Sequence, residues 1–144
     1  MTKVDFYTGS PDKLRTACQL SHKAMQGGLR VMLCTPDAAA TDALDALLWS
    51  YPAIAFIPHC RSGSPEAETM PVVLGHEESA TFPHHELLIS LRAECLPFFS
   101  RFERLIEIVG VDETDSRMGR ERFRFYRDRG YEMRHFDLGK PINE

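Results

Sequence analysis

The 144 residues contain no C-x-x-C pair, no G-x-G-x-x-G and no G-x-x-x-x-G-K-[ST]. The first absence excludes the usual zinc-ribbon and dithiol redox spacings. Cys18, Cys34, Cys60 and Cys95 stand far apart and are expected to be reduced thiols, as in a cytoplasmic protein. The missing glycine patterns exclude the common phosphate cradles. The turn Thr8-Gly9-Ser10-Pro11-Asp12-Lys13 lacks the spaced glycines that let backbone approach a pyrophosphate. Thr35-Pro36-Asp37 offers no better cradle. No serine sits in a G-x-S-x-G elbow, so no nucleophile announces itself. His59-Cys60, His76 and His84-His85 lack helical or C-x-x-C ligand spacing, so no metal site is expected. Glu77-Glu78 reads as solvated loop charge. No apolar run approaches the length of a membrane span. Met1 to Tyr7 shows no basic segment followed by an apolar one, and the expectation is a chain without a signal peptide.

Lysine is missing from one place where positive charge is dense. Between Arg117 and Arg134 stand seven arginines and no lysine, against Glu121, Asp128 and Glu132. The window is +4 in a chain of net charge −4, which leaves the remainder at −8. An acidic chain does not wrap nucleic acid over its whole surface. A single arginine-rich face instead suits an anionic ligand, because the planar guanidinium reads carboxylate or phosphate with two parallel hydrogen bonds.

The hydrophobic share of 43% and charged share of 26% fit one soluble domain spanning 1–144. Val4-Asp5-Phe6-Tyr7 reads as a strand, and Ser10 before Pro11 as a helix cap. Leu14, Ala17, Cys18, Ser21, Ala24 and Met25 follow helical spacing until Gly27-Gly28. Arg30 to Cys34 reads as a strand, Thr35-Pro36-Asp37 opens a helix carrying Ala40, Leu44, Leu47 and Leu48, and Ala53 to Ile57 reads as a third strand. This β-α-β-α-β order predicts a parallel sheet covered by helices. Cys60 to Thr69 reads as loop, and further strands are expected at 72–74, 87–91, 105–109 and 131–136. Asp112 or Thr114 caps the arginine helix and Gly130 ends it.

At roughly 100° per residue, Ser116, Arg117, Arg120, Phe123, Arg124 and Arg127 fall within a sector of about 120°. Met118 and Phe125 point the other way and read as core anchors, with Tyr126 on the flank. Arg122 and Arg129 lie on the inner side and read as buried-edge salt-bridge or snorkelling residues. The outer sector is either a solvated face or a shallow site, with Phe123 as its apolar wall and the arginines as its charge. Charge-rich helix faces are usually solvated; the absence of lysine and the aromatic ring inside this one strengthen the case for a site.

Three stretches resemble one family: Leu44 to His59, with Leu-Trp-x-x-Pro and Phe-x-Pro-His; Leu88-Ile89-Ser90-Leu91-Arg92; and Gly119 to Arg127 with Gly130. They resemble the chi subunit of bacterial DNA polymerase III, and the likeness covers nearly the whole chain. It implies a Rossmann-like three-layer α/β sandwich with a mostly parallel central sheet and helices on both faces. It implies a noncatalytic cytoplasmic adaptor without cofactor, bridging the psi subunit of the clamp loader to the single-stranded DNA-binding protein. That protein's tail is acidic and ends in phenylalanine. By resemblance, Arg120 holds the terminal carboxylate, Phe123 walls the phenylalanine pocket and Arg124 faces the aspartates. Arg117 and Arg127 complete the charged face. Ser116 stands where the family can carry lysine, and Arg117 is the neighbouring substitute charge. The resemblance also implies a psi-facing patch of Trp49, Phe56, Pro58 and His59, which a helicase would occupy in competition with psi. From the residues alone, Trp49 and Phe56 are more readily read as core than as interface anchors. DNA is then met only indirectly and no membrane is involved. The rival readings are a direct single-stranded DNA binder and a small α/β enzyme with an unrecognised site.

Overall fold

The computed structural model describes residues 1–50, 57–76 and 82–139. Its elements are β1 (Lys3–Ser10), α1 (Lys13–Gln26), β2 (Val31–Cys34), α2 (Ala38–Ser50), β3 (His59–Arg61), β4 (Val72–Gly75), β5 (Leu87–Ser90), β6 (Arg104–Gly110), α3 (Glu113–Asp128) and β7 (Glu132–Asp137), with a 3₁₀ turn at Phe99–Arg101. The described strands form one seven-stranded sheet in the order β3-β4-β2-β5-β6-β1-β7. Every pairing in it is parallel, where the expected sheet was only mostly parallel.

The order explains why helices cover both faces. From β1 the chain moves toward β3, carrying α1 and then α2; from β6 it moves toward β7, carrying α3. Right-handed crossovers that travel in opposite directions place their helices on opposite faces. Two cores result. Ala17, Cys18, Leu44 and Leu48 pack on Val31, Leu33, Leu74, Ile89 and Ile108. On the other face Tyr126, Phe98, Phe99 and Phe102 pack on Val4, Phe6, Leu88, Leu105 and Val109. Residues alternate between the faces along each strand, so one strand feeds both layers. The buried runs Val31–Cys34 and Leu87–Ser90 lack an exposed partner position for the same reason.

Several local expectations are corrected. Ser10 does not cap α1. It is still in β1, opposite Gly110, with its hydroxyl 2.8 Å from Thr16 Oγ1. Asp12 caps instead, accepting from the Arg15 amide at 3.3 Å. The expected loop from Cys60 begins with strand β3, in which His59 pairs with Val72. The run His-Cys-Arg carries no apolar alternation, so only its neighbour strand reveals it. Most of the strand expected at Ala53 to Ile57, and Glu77-Glu78, lie outside the described residues. Asp37 caps α2 through a 2.8 Å bond to the Ala40 amide, and Gly130 closes α3 with a φ of 82°.

Candidate functional site

Helix α3 is held to the sheet at three levels. At its start, the Asp112 carboxylate accepts from the Asp115 amide at 2.6 Å. Asp115 in turn accepts from the Gly110 amide at 2.6 Å and from Lys13 Nζ at 3.1 Å, tying α3 to β6 and α1. In its middle, Gly119 lies against Val109 so closely that a Cβ would sit 2.8 Å from both valine methyls. Deeper still, Arg122 Nε donates to Glu107 Oε1 at 3.1 Å and Tyr126 OH donates to Glu107 Oε2 at 2.6 Å. Arg122 Nη1 also donates to the Ala93 carbonyl. Burial pushes the Glu107 carboxyl up to about 7, against the opposing pull of Arg122 and Tyr126. The Tyr126 phenol is driven far above its ordinary range, by burial first and by Glu107 second.

The inner face of α3 is therefore centred on Gly119, Arg122 and Tyr126. Met118 and Phe125 are half-buried flanks rather than the core anchors the wheel assigned. The wheel ranked residues by apolarity, whereas β6 presents a carboxylate, and the side chains that satisfy it go deepest. Arg122 is the buried salt-bridge residue expected of it. Arg129 is exposed, with its guanidinium 3.6 Å from the Phe125 ring centre.

Rotating α3 onto this face turns its other edge toward β1 and β7 and opens a cleft of about 460 Å³. Phe6, Val109 and Gly119 supply its apolar lining, and Phe123 stands against Phe6 edge-on, with ring centres 5.2 Å apart. Arg120, Arg124 and Arg127 supply its charge, and among the described residues no carboxylate side chain lines it. Ser116 lines it too, with its hydroxyl donating to the Gly110 carbonyl at 3.3 Å. Arg127 also reaches Asp128 at 3.1 Å, an exposed pair that binds it weakly. Arg117 is exposed and lies outside the lining. Thr8 and His135 form the opposite wall, with Thr8 Oγ1 2.7 Å from His135 Nε2. Sequence reasoning missed both, along with Phe6 and Val109. Nothing in a linear pattern announces that β7 lies beside β1.

With this constellation in place, likeness to known proteins becomes informative. A family model for the DNA polymerase III chi subunit, HolC, matches residues 1–134. The chain belongs to the DNA polymerase III chi subunit family. The DNA polymerase III subunit chi of Pseudomonas aeruginosa is 39% identical over 137 residues, covering 92% of this chain and 94% of that protein. The subunit of Escherichia coli K12 is 27% identical over 116 residues, covering 81% and 79%. That of Haemophilus influenzae is 25% identical over 123 residues, covering 85% of each. As a chi subunit the chain has an accessory role in DNA replication, and its partners lie in the polymerase III holoenzyme.

A second patch of this chi-family chain lies at the opposite sheet edge. Trp49, in the last turn of α2, is 63% exposed, too open for a core residue. Its ring stands edge-on to His59 with centres 4.7 Å apart. His59 is buried, with Nδ1 donating to the Ile57 carbonyl at 2.7 Å. His59 Nε2 is 3.1 Å from Asp45 Oδ1, within ion-pair reach but off the line of a hydrogen bond. Arg61, which sequence reasoning passed over, reaches Asp42 at 2.7 Å and Asp45 at 3.3 Å. Pro58 is half-buried beside them, and Phe56 lies outside the described residues. Among the described residues no three His, Cys, Asp or Glu side chains gather as a metal site, and no helix is long and apolar enough to cross a membrane.

Proposed function

We propose that the chain is a noncatalytic adaptor whose α3 cleft grips the acidic, phenylalanine-terminated tail of the single-stranded DNA-binding protein. The observation that carries this reading is the combination of an apolar pocket floor with three guanidinium groups and, among the described residues, no carboxylate lining. An aromatic end group suits Phe6, Val109 and Phe123. Its terminal carboxylate suits Arg120, and the preceding acidic residues suit Arg124 and Arg127. Arg117, exposed one turn away, adds long-range attraction rather than contact. A short segment held by a few exposed charges buries little area, which fits micromolar affinity and fast exchange. Several tails on one DNA-bound oligomer then add avidity. We infer that the Trp49, Pro58 and His59 patch, with Phe56, docks psi and so the clamp loader, and that a helicase competes for it. An exposed tryptophan braced by a buried histidine is the kind of rigid aromatic anchor that dominates interfaces.

The test of the tail site is a titration with a peptide of the tail, beside Arg120→Ala. Losing one charge-assisted hydrogen bond costs about 1.5–3 kcal/mol, a weakening of roughly 10- to 150-fold. Equal affinities for the two proteins refute the assignment of Arg120. Wild-type protein that binds naked single strands with a steep salt slope and ignores the peptide replaces this reading with direct DNA binding.

A further inference from the structure

We propose that His135 is a specificity-determining residue of the α3 cleft, a titratable donor that tightens the hold on a carboxylate ligand when its ring is doubly protonated. The inference rests on the anionic-tail reading of that cleft. His135 stands on β7, across the cleft from the arginines of α3, with its ring centre 6.4 Å from that of Phe123. Its Nε2 lies 2.7 Å from Thr8 Oγ1 on the neighbouring strand. A hydroxyl both donates and accepts, so this bond persists in either charge state of the ring. Thr8 thus fixes the ring in place without deciding its charge.

The surrounding charges come from each packed element in turn. From α3 come Arg120, Arg124 and Arg127. From β1 come Phe6 and Thr8, which carry no charge; Asp5 alternates to the far face, where it pairs with Arg104 and Arg134. From β6 comes Val109. On β7 itself Asp137 shares the face of His135, with one carboxylate oxygen accepting from the Gly139 amide at 2.9 Å. Among the described residues no acidic side chain lines the cleft, so an entering carboxylate is the group that rewards a second proton on the ring. By linkage, binding then takes up protons, and affinity falls as pH rises through the imidazole range. Guanidinium groups do not titrate there, and the ligand's carboxylates stay ionised throughout. The other five histidines lie outside the cleft lining, as does Glu107, which is buried beneath α3 with its carboxyl raised to about 7, so the pH slope is assigned to His135 by its loss in His135→Asn.

The experiment is calorimetric titration of the full chain with a synthetic acidic peptide ending in phenylalanine with a free carboxylate. It is run at about pH 5.5 and about pH 8.5 at constant ionic strength. One added, partly exposed charge contact gives an affinity about fivefold tighter at the lower pH. Paired buffers of different ionisation enthalpy should report fractional proton uptake near the midpoint. His135→Asn should bind equally at both pH values, and His135→Arg should be equally flat at the tighter level. Asp137→Asn should keep the wild-type slope. A flat wild-type profile, or a slope that survives in His135→Asn or vanishes in Asp137→Asn, overturns the proposal and leaves the tail reading standing. No binding at either pH overturns both.

Discussion

Substituting Gly119 by alanine tests how the cleft is built. In an open helix this change stabilises by about 1 kcal/mol, because alanine loses less backbone entropy. Here the new Cβ would sit 2.8 Å from Val109 Cγ1 and 2.8 Å from Val109 Cγ2. Val109 is 2% exposed and β-branched, so both methyls have nowhere to swing together. Contact distance is restored only if α3 lifts from β6 by about 1 Å, and overpacking of this kind costs roughly 1–3 kcal/mol. With two methyls in conflict we place the cost at the upper end. The net expectation is a loss of about 1–2 kcal/mol, read as a fall in Tm of roughly 3–8 °C. Because Gly119 and Val109 both line the cleft, tail-peptide affinity should fall as well. Val109→Ala removes both methyls and alone costs about 2 kcal/mol. In the double variant the alanine at 119 fills the vacated space. The two changes should then be non-additive by about 1–2 kcal/mol. A higher Tm for Gly119→Ala alone, or strict additivity in the double variant, refutes the close-approach argument.

Two further outcomes are expected. Trp49→Ala should abolish psi binding in a pull-down while leaving Tm within about 1–2 °C of wild type, since an exposed side chain contributes little to folding; unfolding of this variant would make Trp49 a core residue and sink the patch. Burial pushes the His84 imidazole down from 6.5 to about 4, so the unfolded chain binds more protons between those values and stability is lost as pH falls through that window. The contribution is about 3 kcal/mol. Glu107, raised from 4.5 to about 7, works in the opposite sense, with stability lost as pH rises through its folded value. The His84 effect is therefore read as the difference between wild type and His84→Gln in denaturant titrations from pH 7 down to 4. Parallel stability curves would show that His84 is not held neutral by burial.

Local chemistry alone determined much of this protein. The alternation of strand and helix patterns implied an α/β sheet, because apolar period and turn residues act within a few positions of themselves. The arginine helix and its Gly130 stop were legible for the same reason, its cap was narrowed to Asp112 or Thr114, of which the structure uses Asp112, and the clustering of Arg120, Phe123, Arg124 and Arg127 on one edge was legible too. A shallow site walled by Phe123 was one of the two readings that face allowed, but what stands across from it was not legible, because a helical wheel has no knowledge of what the helix faces. The sheet order, which sets β1 between β6 and β7, decided that Phe6, Thr8 and His135 meet the arginines of α3. Glu107 is one acidic letter in a strand. Only with α3 packed above it does it become the group that buries Arg122 and Tyr126 and so sets the rotation of the helix. From the residues alone Trp49 read more readily as core than as surface, and burial on α2 is a property of the packed layer rather than of the residue. Tertiary structure left it exposed, against a histidine that the sheet edge buries.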